Sequence, residues 1–176
     1  MRINFSLIKP RIGFIGNNYF MSILAVTSGQ VDKIVVAPLL GFAILGNYSL
    51  AVQVVSVMLI LPNVFQKYLL PQESTGVKNR KPKILVIIFS VLITILGIFV
   101  APILINEFFP KFTEAVDAIK IMSIVVIPTT ISLIIESEFL GKEKSRIVLV
   151  GTAILVTSLI IGMIILGSLM GIEGVA

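Results

Sequence analysis

The side chains that could do chemistry in this sequence are few, and they lie within apolar surroundings. The chain contains neither Cys nor His, which removes thiolate nucleophiles, disulfides, imidazole bases and the commonest metal ligands. What remains inside the apolar stretches is a set of amide and charged side chains that are costly to expose to lipid. Six of them are candidates for a substrate path or a coupling site: Asn18, Gln30, Asp32, Lys33, Gln53 and Asn63. The sequence predicts no catalytic residue, metal site or cofactor, and no enzyme activity.

The composition places these side chains in a membrane protein. The 176 residues are 57% hydrophobic and 13% charged, with a mean hydropathy of +1.09. Soluble domains average about 45–50% apolar and about 25% charged residues. Because one membrane-spanning helix needs about 20 apolar residues, the apolar residues of this chain could fill about five spans. The composition excludes a soluble enzyme and a nucleic-acid-binding domain of the ordinary kind.

Five long apolar runs predict an all-α, polytopic membrane helix bundle. They lack the period-two alternation of membrane β-strands and are too long for them. The predicted spans cover residues 12–40, 47–68, 84–106, 115–140 and 147–172. Residues 1–11 are predicted to form an N-terminal segment, and residues 173–176 to begin a sixth helix. Pro128, near the centre of the fourth run, predicts a kink there.

The basic residues predict the orientation of the bundle. With the N-terminus in the cytoplasm, eleven of the fourteen Lys and Arg residues fall in cytoplasmic segments, and only Lys33, Lys111 and Lys120 fall on the other side. This distribution follows the positive-inside rule. The net charge of +5 is therefore explained by topology, and no nucleic-acid partner is predicted. The predicted location is the cytoplasmic membrane, with the N-terminus inside.

Polar and small residues recur at helical spacing within every predicted span. Such stripes are usually packing seams, because small residues let membrane helices approach closely. We expect seams in the third span, at Ser90 and Thr94, and in the fifth, where Gly151, Ser158 and Gly162 share one face. The stripes of the first two spans carry amides and a carboxylate, which are more than packing requires. For these two spans, two interpretations stay open: a packing seam, or a polar cavity lined by the two helices.

The pair Asp32 and Lys33 allows two interpretations. If the first span ends near Leu40, a rise of about 1.5 Å per residue places Asp32 roughly 12 Å inside the membrane boundary. A charge at that depth should face a watery cavity or a partner. If the helix instead ends at Gly29, both charges lie at the membrane surface. Glu136 and Glu138, at the cytoplasmic end of the fourth span, are interpreted as anchors at the interface.

Three segments resemble one family of transporters. Residues 28–71 contain a polar residue and an Asp near the end of a helix, and then the pattern Gly41, Gly46 and Tyr48. Residues 108–146 contain an aromatic and acidic stretch, a helix and a short Gly-Lys loop, and residues 171–176 read Gly-Ile-Glu-Gly-Val-Ala. Together these segments resemble the second half of polysaccharide-biosynthesis flippases of the O-antigen type, which are relatives of the multidrug and toxin extrusion transporters.

The resemblance implies a protein of two six-helix lobes that moves a lipid-linked oligosaccharide across the membrane by alternating access. Asp32 matches an Asp of that family, while the cationic cavity residues of some members have no clear match. Five helices and the start of a sixth would be one lobe or a piece of one, so the expected partners are membrane lipids, the lipid-linked saccharide and a missing N-terminal half or second chain. Two alternatives remain open, a half of a related multidrug or cation antiporter and a non-transporting membrane subunit.

Overall fold

The computed structural model describes residues 11–76 and 80–176, apart from the side chains of residues 28, 31 and 32. All regular elements in this part of the chain are helices, which confirms the all-helical prediction. The predicted N-terminal segment lies, except for Arg11, outside the described residues. The helices are α1 (Ile12–Leu40), α2 (Phe42–Met58), α3 (Ile60–Ser74), α4 (Arg80–Phe108), α5 (Ala115–Gly141), α6 (Ser145–Met170) and α7 (Ile172–Val175), with a 3₁₀ turn at Pro110–Phe112.

The lengths of these helices support three membrane spans, or four at most. Within the described residues, α4, α5 and α6 are each long and apolar enough to cross a membrane, and α2 with α3 can form one bent span. Helix α1 has 29 residues, and Ile12–Thr27 forms an apolar stretch among those whose side chains the structure describes. The prediction of five spans is therefore confirmed in part, and a first span through α1 stays a prediction.

A break at Leu59 divides the predicted second span into α2 and α3. The two helices meet at 43°, whereas the apolar run predicts one helix over residues 47–68. The cause is Pro62, whose ring has no N–H to bond Met58 and clashes with the carbonyl four residues earlier. The chain adapts by ending α2 at Met58 and starting α3 at Ile60.

Helix α5 is the centre of one packed group and contacts α2, α3 and α4. The surface of α5 that faces these helices includes the small and hydroxylated residues Ala118, Ser123 and Thr130, all almost fully buried. The predicted seam of the third span packs here, because Ser90 and Thr94 of α4 are also buried. The Thr94 hydroxyl donates a hydrogen bond to the Ser123 carbonyl at 3.1 Å. The packing interpretation of this stripe is confirmed.

A second packed group consists of α1 and α6. Helix α6 buries a different face from the predicted one, namely Val148, Val156, Met163 and Gly167. The predicted stripe of Gly151, Ser158 and Gly162 is therefore wrong as a seam within this chain. A Cβ added at Gly151 or Gly162 would meet nothing within 4 Å. The buried face combines larger side chains with Gly167, where a Cβ would lie 3.0 Å from a terminal methyl carbon of Leu39 on α1.

The two groups meet at the end of the bundle that contains the α1–α2 turn. There Val36, Tyr48, Met163 and Val175 form one buried cluster that joins α1, α2, α6 and α7. Gly171 has a φ of 66°, which turns the chain back so that α7 lies against α6. The bundle is thus closed by apolar packing at this end. Whether α7 begins a longer sixth helix stays a prediction.

Close backbone contact between α3 and α5 gives a test of the packing at the opposite end. A Cβ on Gly141 would lie 2.9 Å from the Glu73 carbonyl carbon and 3.0 Å from the Ser74 nitrogen. We expect Gly141→Ala to lower the free energy of unfolding by about 1–3 kcal/mol, the usual cost of overpacking. The measurement is denaturant unfolding in detergent micelles.

Gly151→Ala is the matched control, because that glycine also lies in a helix but has open space around it. Its substitution should be neutral or stabilise the bundle by about 1 kcal/mol through helix propensity. Equal loss of stability in the two variants would contradict the close approach of α3 and α5.

Candidate functional site

A cleft opens at the end of the bundle opposite the closed one. It lies between the start of α1 and the ends of α3 and α5, and its volume is about 770 Å³. One wall carries Phe14 and Asn18 of α1, and the other carries Pro71 and Ser74 of α3. Most of the basic residues that the structure describes belong to this end, so we call this cavity the basic-end cleft. Helix α1 takes part in both ends, since it also packs in the cluster of Val36 and Tyr48 at the closed end.

One ion pair crosses the mouth of the basic-end cleft. The Arg11 guanidinium lies 3.2 Å from a carboxylate oxygen of Glu143, and their side chains are 66% and 61% exposed. Ion pairs as exposed as this contribute only about 0–1 kcal/mol. The pair can therefore break and re-form at little cost, and it does not hold the cleft shut.

The wall formed by α3, α4 and α5 is held together much more firmly. The Lys83 ammonium lies 2.6 Å from carboxylate oxygens of both Glu73 and Glu138. The side chain of Glu73 is only 8% exposed and that of Lys83 only 17%. Water screens such charges weakly, so the three residues bind three helix ends together. Glu138, interpreted from the sequence as an interface anchor, belongs to this network.

Glu136 takes part in a contact between helices and also borders a cavity. Its carboxylate accepts a hydrogen bond from the Gln66 amide at 3.3 Å. It is half-buried and lines a second cavity of about 390 Å³ with Ala25, Ser132 and Gly151. Glu136 thus borders the cavity between α1, α5 and α6, while its carboxylate bonds to α3. The signal was present, because Ser132 and Glu136 follow one another on a single helical stripe.

The six residues predicted for the polar path are not gathered in one pocket. Asn18 lines the basic-end cleft, and its amide also donates a hydrogen bond to the Phe14 carbonyl at 3.0 Å. Gln30 and Lys33 on α1, Gln53 on α2 and Asn63 on α3 are exposed on the surface of the bundle. Helix α1 continues past Gly29 to Leu40, so the interpretation that it ends at Gly29 is wrong. The Asp32 side chain lies outside the described residues.

These exposed polar groups follow α1, α2 and α3 at matching depths. Counted from the turn at Gly41 with a rise of about 1.5 Å per residue, Gln30 and Gln53 both lie roughly 17 Å along their helices. Ser56 and Asn63 continue the exposed polar positions toward the basic end. By contrast, α4 exposes a continuous apolar surface that includes Ile95, Phe99 and Ile103. Helices α1–α3 thus expose amides and hydroxyls among apolar side chains such as Val26 and Phe42. We call their exposed surface the polar side, whereas α4 presents a surface suited to lipid.

Cysteine labelling tests this difference between the two sides, since the chain has no native Cys. In membranes, Gln53→Cys should react with a membrane-impermeant maleimide at least about tenfold faster than Ile95→Cys, because the thiolate that attacks the maleimide forms only where water reaches it. Both positions are exposed on neighbouring helices. Gln53 belongs to the polar side, and Ile95 belongs to the apolar surface of α4. Equal and slow labelling of both would show that the polar side is also covered by lipid or by packed protein.

Comparison of the chain with protein families, curated proteins and solved structures finds no match. The resemblance to polysaccharide flippases therefore rests on the sequence segments alone.

Proposed function

We propose that this chain is one half of a membrane flippase that moves a lipid-linked oligosaccharide or polysaccharide precursor by alternating access. The observation that carries the proposal is the combination of a bundle closed at one end with a cleft open at the other, whose lining mixes charged and amide side chains with apolar ones. This is the form that one access state of a transporter takes, with a substrate path open to a single side of the membrane. By the positive-inside rule, the basic end of the bundle, where the cleft opens, would face the cytoplasm. The membrane would be the cell membrane.

The amide at the cleft and those exposed on α2 and α3 suit a saccharide. Asn18, Gln53 and Asn63 carry amides, each of which offers both hydrogen-bond donors and acceptors. A sugar presents hydroxyl groups that also donate and accept, so amides can bind it in several orientations while it moves. The charged Lys33, exposed on α1, would add a contact farther from the cleft. No covalent step is needed for this function.

The exposed polar side of α1–α3 also supports the need for a second half. A bundle surrounded by lipid on all sides would leave these amides in contact with hydrocarbon, which is costly. A second six-helix lobe, supplied by another chain or by another part of the same protein, would enclose a watery path against this side. The apolar surface of α4 would then face the lipid.

One observation favours a second candidate function, a cation-coupled antiporter half. Glu136 combines partial burial, a position at a cavity and an amide partner in Gln66, and carboxylates inside membrane bundles often serve ion or proton transfer. The flippase proposal uses the long polar side of the bundle, which a small-cation site does not require. We therefore place the antiporter second.

Reconstitution of the full assembly in vesicles separates the two candidates. The flippase proposal predicts that a fluorescent lipid-linked oligosaccharide becomes accessible to an enzyme outside the vesicle only when the protein is present. An antiporter would instead export a cationic drug in response to an ion gradient. Drug export without movement of the oligosaccharide would overturn the flippase proposal, and an absence of both activities would favour a non-transporting subunit.

A further inference from the structure

Another cavity, of about 480 Å³, adjoins the basic-end cleft and lies between the first turns of α1 and the start of α6. The two share Arg11, Phe14 and Glu143. Cavities of about 300–1,000 Å³ are the usual size of small-molecule sites. Arg11, Phe14 and Asn17 form the α1 side, and Lys144 and Arg146 lie on the other side. The Asn17 amide donates a hydrogen bond to the Ser145 hydroxyl at 3.1 Å. This hydrogen bond joins α1 to α6 beside the cavity.

The charge of this cavity is strongly positive. Three basic side chains and one carboxylate, Glu143, line it. Arg11 is paired with Glu143, while Lys144 and Arg146 form no salt bridge with a carboxylate of residues 11–76 and 80–176. Guanidinium and ammonium groups arranged in this way bind phosphate through charge-assisted hydrogen bonds. The ligand chemistry that fits the cavity is therefore a phosphate ester.

The surroundings of the cavity indicate a lipid rather than a soluble phosphate. Next to the charged groups, α1 exposes Ile12 and Ile15, and α6 exposes Ile147 and Val150, each more than half exposed. These side chains continue along both helices toward the middle of the bundle, where acyl chains would lie. A phosphodiester headgroup can thus occupy the cavity while its acyl chains pack on apolar helix surface. Basic pockets between helices on the cytoplasmic side bind anionic lipid headgroups in this manner.

We propose that the cavity between α1 and α6 binds the headgroup of an anionic phospholipid through Arg11, Lys144 and Arg146. The lipid joins the start of α1 to the start of α6, so it stabilises the pairing of these helices beside the basic-end cleft. The site does not depend on the proposed function, because lipid binding is measured without transport.

The test compares the binding of spin-labelled phosphatidylglycerol to the full chain in phosphatidylcholine bilayers. K144Q/R146Q should weaken binding about tenfold, since each basic residue near an anionic lipid surface contributes strongly. The matched control K67Q/K81Q removes the same charge from the same end of the bundle, outside the cavity, and should change binding less than about twofold. Because Lys144 and Arg146 are exposed, the thermal midpoint of K144Q/R146Q in detergent should equal that of the wild type.

Two results would overturn the inference. Equal weakening by both double variants would mean that the basic end attracts anionic lipid only through its overall charge. Displacement of the labelled lipid by millimolar inorganic phosphate would mean that the cavity selects a free anion and that the apolar surfaces contribute nothing.

Discussion

Replacing Lys83 by Met should lower the free energy of unfolding by about 3 kcal/mol, the scale seen when one partner is removed from a buried ion pair. The loss arises because the ammonium lies 2.6 Å from both Glu73 and Glu138. Without it, a nearly buried carboxylate at Glu73 stays uncompensated beside a second one. Because this network joins α3, α4 and α5, the wall of the basic-end cleft should loosen first. Denaturant unfolding in mixed micelles measures the effect.

Two comparisons make this prediction specific. Lys81→Met removes an exposed ammonium two residues away, and it should change stability by no more than about 0.5 kcal/mol. Adding Glu73→Gln to the Lys83→Met variant should restore part of the loss, because it removes the uncompensated buried charge. A loss below about 0.5 kcal/mol for Lys83→Met alone would show that the network does not hold the wall together.

The sequence predicts the all-helical class of this structure well, because the apolar runs that indicate the helices are long. Uncharged runs of 23 and 26 residues predict α4 and α6 with little ambiguity, while α5 follows from a charge-free run of 15 residues with charged ends. Such lengths are typical of membrane helices. The buried seam of Ser90 and Thr94 was likewise predictable, since small residues at helical spacing are typical of packed faces between membrane helices. These features depend on local composition, and no knowledge of distant contacts is needed to find them.

What the sequence predicts less well depends on neighbours in space. The length of the second apolar run alone predicts a single helix. Predicting the break at Leu59 also requires the effect of Pro62 on the helix. Glu136 has the sequence context of an interface anchor, but its environment is set by Gln66, 70 residues away. The ion pair of Arg11 and Glu143 likewise joins distant parts of the chain. Such pairings follow from the packing of the helices and from no local pattern.

The second large effect concerns movement across the basic-end cleft. Asn18 and Ser74 lie on opposite walls of this cleft, so cysteines at both positions can be bridged by a bifunctional thiosulfonate reagent. The chain has no other Cys to compete. A bridge should lower the rate of oligosaccharide translocation by more than about tenfold, because a substrate path gated by helix motion is then fixed and obstructed. Reduction of the new disulfides should restore the rate.

Comparing bridged, reduced and unbridged protein in one vesicle assay tests whether the cleft between α1 and α3 is the entry of a translocation path. We expect lipid-linked oligosaccharide to cross the bilayer with the unbridged assembly, to stop with the bridge and to resume after reduction. Translocation that continues unchanged while α1 and α3 are bridged would contradict this function for the cleft.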